Sequence, residues 1–206
     1  MALETYINAV CRISDHTIIK NGETVFSNPN DDLSAFLISS YKHLNINYPK
    51  FYKMDNLSKL GFLASEVLLQ HSFKAEEYLP QDIGIVLANA NASLDTDIKY
   101  FETVKDIPGP SLFVYTLPNI VIGEISIRNN FKGENAFFVF ERFDTNFIET
   151  YIRNLLDSDV LNACICGWVE VLENEHKAVL FLIETNMTNG SIFFTKENIN
   201  KYIANG

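Results

Sequence analysis

Cysteine, tryptophan and glycine are scarce in this sequence, with three Cys, one Trp and nine Gly in 206 residues. Cys11, Cys164 and Cys166 form an odd set with β-branched or apolar neighbours. That excludes the disulfide framework of a small secreted domain and points to reduced, buried thiols. Cations are also in deficit: 16 Lys and Arg stand against 26 Asp and Glu, a formal charge of -10. A general binder of the nucleic-acid backbone needs the opposite balance, because its affinity comes from cations displacing counterions. Nucleic acid is therefore excluded as a partner. No window approaches the roughly 18 consecutive apolar residues that span a bilayer. The opening MALETYINAV has neither a basic stretch nor an apolar core, so no secretory signal is expected and the cytoplasm is the expected location.

What the chain does hold is 47% hydrophobic residues, enough for a real core at this length and for one domain over residues 1–206. Strand and helix patterns follow one another as in an α/β domain. Tyr6 to Ile13 reads as a strand. Asp32 to Leu44 places Leu33, Phe36, Leu37, Tyr41 and Leu44 at helical spacing after a cap at Asp31 or Asp32. Met54 to Gln70 is the strongest helical pattern. Asp82 to Ala88 is a near-continuous apolar run, as expected of a strand covered on both faces. A helix is expected over Asp95 to Val104, a break at Pro108-Gly109-Pro110, and a helix over Leu117 to Arg128 with Pro118 in its first turn. Ala136 to Phe140 reads as a strand and Asn146 to Leu156 as a helix. Leu161 to Val171 and Val179 to Glu184 are further strands. Asn189-Gly190 marks a turn before Ile192 to Thr195, and Lys196 to Ala204 closes the chain as a short helix.

Phosphate loops, zinc-protease helices, nucleophile elbows and Cys-x-x-Cys pairs are all missing, so the common phosphate, zinc and acyl-hydrolase signatures fail. Cys164-Ile165-Cys166 puts two sulfurs on one face of a strand, but no second Cys or His pair stands at ligand spacing, so core packing is preferred and no metal is expected. His16, His43, His71 and His176 are scattered singly. Glu76 and Glu77 read as a solvated face.

Two segments resemble the β-ketoacyl synthases of the thiolase superfamily. Phe51-Tyr52-Lys53-Met54-Asp55-Asn56-Leu57-Ser58-Lys59-Leu60-Gly61 is similar to the (R/K)-M-D-x-L-S-(R/K)-L helix start of that family. Pro110-Ser111-Leu112-Phe113-Val114-Tyr115-Thr116-Leu117-Pro118-Asn119, continuing through Gly123-Glu124-Ile125-Ser126-Ile127-Arg128, is similar to F-x-x-T-L-P-N-x-x-x-G-E-(L/I)-(A/S)-I-R. Gly84-Ile85-Val86-Leu87 and Gly167-Trp168-Val169-Glu170-Val171 match in the same order. The resemblance runs from Tyr6 to about Val171. It implies a thiolase-like half-fold, a single mixed five-stranded sheet flanked by helices.

In that family a cysteine at a helix start, in a D-T-A-C-S-S type turn after a glycine matching Gly133, takes the acyl chain as thiolate. The corresponding position here falls near Glu141 or Arg142, neither of which can form the acyl-enzyme, and bulky Phe140 and Phe143 replace small neighbours. Whole family members are roughly twice as long. Their second half supplies the histidines or equivalents that bind the thioester carbonyl, and this chain ends before that half. The helix after the turn carries Phe147, Ile148, Tyr151, Ile152, Leu155 and Leu156 on one side and Asn146, Glu149, Thr150, Arg153, Asn154 and Asp157 on the other, as expected of a genuine short protein whose helix faces water.

The resemblance thus implies a non-catalytic accessory protein, without cofactor, of a fatty-acid or aryl-polyene/flexirubin-type pathway. The expected partner is a second copy or a ketosynthase-type protein, with an acyl carrier protein as a further one. Phe137, Phe138, Val139 and Phe140 form the candidate interface, because the family pairs this strand across its dimer axis. The same aromatics can instead fill a core. Lys42, Lys50, Lys53 and Lys59 form the candidate patch for an acidic partner, or else simply solubilise the surface. An acyl-chain or small-molecule site in a residual crevice at Thr116, Asn119 and Glu141 is a second reading. A residual acyl-thioester enzyme with Glu141 as base is a third.

Overall fold

Aspartates open the long helices: Asp32 accepts from the Ala35 N–H, Asp55 from Ser58 and Asp144 from Phe147. Each carboxylate satisfies a backbone donor that a helix start leaves unpaired and meets the positive end of the helix dipole. A computed structural model of the chain describes residues 3–105 and 109–203. Pro108 of the expected break, Ala204 of the last helix and the first two residues of the N-terminus lie outside the described residues.

The elements run β1 (Tyr6–Ser14), β2 (Thr17–Lys20), β3 (Glu23–Ser27), α1 (Leu33–His43), α2 (Asn56–Leu69), β4 (Ile83–Asn89), α3 (Leu94–Val104), α4 (Pro110–Phe113), α5 (Ile120–Asn129), β5 (Asn135–Val139), α6 (Thr145–Asp157), β6 (Ala163–Leu172), β7 (Glu175–Glu184), β8 (Ile192–Phe193) and α7 (Lys196–Ile203). Short 3-10 turns cover Pro49–Lys53 and Val114–Thr116. The mixed α/β sheet has the order β3-β2-β1-β7-β6-β4-β5, with β8 beside β1. It has eight strands where five were expected. The extra ones are short. β2 and β3 join through Asn21-Gly22, both at positive φ (50° and 88°), the backbone that a tight hairpin requires. Apart from Ile18, which is buried, their side chains are half-buried or exposed, so they show no long apolar run, and β8 is only two residues long. The Leu117 start expected for α5 also shifts. The backbone turns through Val114–Thr116, and α5 begins at Ile120 behind Pro118 and Asn119.

Both faces of the sheet are covered. One side holds Ile13, Ile85, Leu87, Ile165 and Leu180 against Leu37 of α1, Leu60 and Leu63 of α2, and Ile125 of α5. The other holds Val86, Cys164, Cys166, Val179 and Phe181 against Ile148, Ile152 and Leu156 of α6 and Ile199 of α7. α6 turns Asn146, Thr150, Asn154 and Asp157 to the outside. β4 and β6 run parallel, and β5 continues the parallel set beyond β4. The turn that follows β5 therefore emerges at the carboxyl end of these strands, beside the N-terminus of α6.

Candidate functional site

β5 ends at Val139, the Phe140 N–H donates to the Asn89 carbonyl at 2.9 Å, and Glu141, Arg142 and Phe143 carry the chain to the cap of α6. Glu141 and Arg142 are exposed and line an open depression of about 760 Å³ with Asp144, Asn146, Lys196 and Asn200. Nothing local in the sequence points to Lys196 or Asn200. They arrive because α7 docks on α6, where the Thr145 hydroxyl donates to Asn200 Oδ1 at 2.6 Å and the Lys196 N–H donates to Glu149 Oε2 at 2.9 Å. The helix end that could stabilise an anion is already engaged, since Asp144 Oδ1 accepts from the Phe147 N–H at 2.9 Å.

No cysteine lines this depression. Cys164 and Cys166 lie on β6 in the core under α6, and burial pushes the Cys164 thiol up to about 12 and the Cys166 thiol well above its usual range. Cys11, buried on the opposite face, is pushed up to about 12 for the same reason. A thiol held in its protonated form is a poor nucleophile. Among the described residues, no group of three or more His, Cys, Asp or Glu stands where it could hold a metal ion.

Behind the turn the space is filled by rings. Phe138 meets Phe140 at 5.6 Å between centroids, Phe147 at 4.8 Å and Tyr151 at 5.3 Å, while Phe143 stands edge-on to Trp168 at 6.0 Å. Phe137 packs against the opposite core. The phenylalanines of the candidate interface thus contribute side chains to their own chain, and Val139, 53% exposed, points outward.

The backbone of β5 is a different matter. Ile85 N–H donates to the Glu134 carbonyl and Phe140 N–H to the Asn89 carbonyl. In a parallel ladder alternate residues turn to one neighbour, so Asn135, Phe137 and Val139 direct their N–H and C=O groups away from β4. Among the described residues no strand pairs with β5 on that side.

Thr116 and Asn119 belong to the α5 side. The Thr116 carbonyl accepts from Ser93 Oγ at 2.8 Å, its hydroxyl donates to the Phe113 carbonyl at 2.7 Å, and the Asn119 carbonyl accepts from Ile122 and Gly123 N–H at the start of α5. Neither lines the depression at Glu141.

Of the candidate lysines, Lys42 and Lys53 are exposed on α1 and on the Pro49–Lys53 turn. Lys59 is half-buried on α2, where burial holds its ammonium below the usual lysine range and Asp55 pulls it back up. Lys50 pairs at 2.9 Å with Glu124, a buried carboxylate of α5 that also accepts from the Tyr115 hydroxyl at 3.0 Å. Removing Lys50 strands that carboxylate. Lys50→Ala is expected to cost about 1–2 kcal/mol, less than a fully buried pair because the lysine is partly solvated. Urea titrations of both variants should show that cost for Lys50→Ala, while Lys53→Ala stays within about 0.5 kcal/mol of wild type.

No protein-family model matches the chain, and no curated protein matches it by sequence. Its structure is similar to solved ketosynthases. A type II PKS acyl-carrier protein in complex with its ketosynthase bound to the hexaketide, AntDE:AntF, gives a TM-score of 0.62 at 16% identity, covering 89% of this chain and 63% of that one. The ishigamide ketosynthase/chain length factor gives 0.63 at 16% identity, over 88% of this chain and 62% of that one. The ketosynthase ApeO in complex with its chain length factor ApeC, from Xenorhabdus doucetiae, gives 0.58 at 12% identity, over 89% and 80%. The chain therefore has the thiolase-like ketosynthase fold, and it spans under two thirds of the length of the first two structures.

Proposed function

We propose that this chain is a non-catalytic, ketosynthase-like accessory protein that binds a ketosynthase-type protein of a fatty-acid or aryl-polyene/flexirubin-type pathway. The observation that carries the reading is the turn between β5 and α6. Where the family resemblance calls for a thiolate at the helix end, Glu141, Arg142 and Phe143 precede a helix whose positive end is engaged by Asp144. The open edge of β5 supports the partner. Three alternate residues, Asn135, Phe137 and Val139, offer outward backbone donors and acceptors that a partner strand can take up. The structural neighbours named above include a ketosynthase with a chain length factor and a ketosynthase with an acyl carrier protein. An acyl carrier protein is a further candidate partner, at exposed Lys42 and Lys53. Capture of full-length ketosynthases of such pathways, using the tagged chain as bait, tests the reading. Binding to none of them discards it.

The second reading, a residual acyl-thioester enzyme using Glu141, draws on one observation: Glu141 lies in an open depression beside Arg142 and Lys196. Its test is turnover of a malonyl thioester by wild type and by Glu141→Gln. We expect no turnover above buffer in either. Turnover that is lost in the variant establishes the enzyme, whereas an equal rate in both removes any role for Glu141. An acyl-chain site is less well supported, because Phe138, Phe140 and Phe143 occupy the space behind the turn.

A further inference from the structure

Among the described residues two Asn-Gly pairs stand at exposed turns, Asn21-Gly22 and Asn189-Gly190. A third, Asn205-Gly206, lies outside them. In such a pair the asparagine amide is open to attack by the next main-chain nitrogen, because glycine sets no side chain beside it. By sequence the two described pairs are equal. Their glycines are equal in the structure as well: Gly22 and Gly190 both have φ +88° and open space where a Cβ would stand. The difference lies in the asparagines.

Asn21 is held twice by β1. Its N–H donates to the Val10 carbonyl at 2.9 Å, and its Oδ1 accepts from the Val10 N–H at 2.8 Å. Turning that amide to present Cγ to the Gly22 nitrogen gives up the second bond. The Asn189 side chain has no partner among the described residues, and neither has the Gly190 N–H. Both line an open depression of about 260 Å³ that also reaches Asn8 and Tyr202, so water has access to the amide.

This turn carries weight. The Ser191 N–H donates to the Thr188 carbonyl at 3.2 Å, and Ser191 Oγ accepts from the Thr188 N–H at 2.8 Å and donates to Asn8 Oδ1. Asn8 Nδ2 in turn donates to Oε2 of the buried Glu184 at 2.6 Å and to the Asn186 carbonyl at 2.9 Å. The turn thus fixes the approach of β8 to β1, where Ile192 faces Ile7 and Phe193 faces Tyr6.

We infer that Asn189 is a self-modification site, at which the amide is lost and the attachment of β8 to β1 is loosened as the protein ages. The Gly190 nitrogen loses its proton to water and bonds to Asn189 Cγ; the Cγ–Nδ2 bond breaks, and ammonia leaves with a proton from water. Water then opens the succinimide ring. Cleavage at Cγ gives aspartate, and cleavage at the main-chain carbonyl gives isoaspartate, which routes the backbone through Cγ and adds one carbon to the turn. Either product adds a negative charge beside the Asn8–Glu184 network, and the longer turn draws Ser191 from Asn8.

The test is incubation of the full chain at neutral pH, folded and in urea, followed by digestion in acid and mass spectrometry that locates each amide-to-acid change. In the folded chain Asn189 should convert about tenfold faster than Asn21 or more, the rate factor that one extra side-chain hydrogen bond supplies. In urea, where Val10 no longer holds Asn21, the two rates should converge. Equal rates in the folded chain, or a faster Asn21, overturn the inference. So does a ratio that persists in urea, which places its cause in neighbouring sequence. Aged wild type should also melt below fresh protein, while Asn189→Gln aged alongside it does not, because its longer side chain closes the ring poorly. An aged, converted wild type that melts like fresh protein overturns the loosening of β8.

Discussion

Val139→Pro is expected to weaken capture of a ketosynthase-type partner at least tenfold while leaving the fold intact. Val139 is one of the residues that turn their N–H outward, so the substitution deletes a donor that has no partner among the described residues. It also sets a ring against any strand arriving on that side. Proline is tolerated on an edge strand when the missing N–H faces solvent, and the preceding Phe138 is already extended, as a residue before proline prefers. Little packing is lost, because Val139 is largely exposed. The ladder bond from Phe140 to Asn89 lies on the other side and is retained. Immobilised wild type and variant, titrated with the same synthase, give the ratio of affinities, and a thermal melt confirms the fold. Equal affinity would remove β5 from the interface and leave a synthase partner to dock elsewhere.

That prediction concerns backbone rather than side chains, and the difference marks what could be read in advance. The aromatic run at Phe137 to Phe140 is visible in the sequence, but its two possible uses, core and interface, have the same composition. The placement of α6, which brings Phe147 and Tyr151 onto Phe138 while leaving it half-buried, is not written in that run. The cap of α1, expected at Asp31 or Asp32 and found at Asp32, and the long periodic pattern of α2 were legible because they are local. The β2–β3 hairpin was not, since its strands are short and poorly buried, although Asn21-Gly22 is a hairpin signal.

Helix α3 teaches the subtler point. Periodicity identifies a two-faced helix but not which face meets the protein. That choice was made by Glu173 and Asp55, remote in sequence, which receive Asp95 and Thr96. The turn at Glu141 and Arg142 could be located by counting within the family pattern, while its neighbours Lys196 and Asn200 depend on the docking of α7. Lys50 shows the reverse hazard. It reads as one of a run of surface lysines, yet its charge answers the buried Glu124.

Gly167→Ala is expected to be the most damaging single-methyl change in the chain, with a loss of about 3–5 kcal/mol. Gly167 stands in the middle of β6, paired with Leu87 of β4 and Leu180 of β7. Its φ is +152°, which L side chains rarely adopt, and a Cβ there would run into the Val179 carbonyl oxygen and the Leu180 Cα. The obstruction is main chain on both counts, so no side-chain rotation relieves it. Relief requires β6 and β7 to separate, and that pair joins the hairpin side of the sheet to the β4–β5 side. Gly190→Ala supplies the control. Gly190 also has positive φ, +88°, but open space surrounds the site of its missing Cβ. It should lose only about 1 kcal/mol, from backbone strain alone. In thermal melts the contrast should appear as a drop of roughly 10 °C or more for Gly167→Ala against a few degrees for Gly190→Ala. Similar drops would mean that β6 and β7 yield at Gly167, and the adjoining Trp168, against which Phe143 of the functional turn rests, would then be less firmly placed than the structure has it.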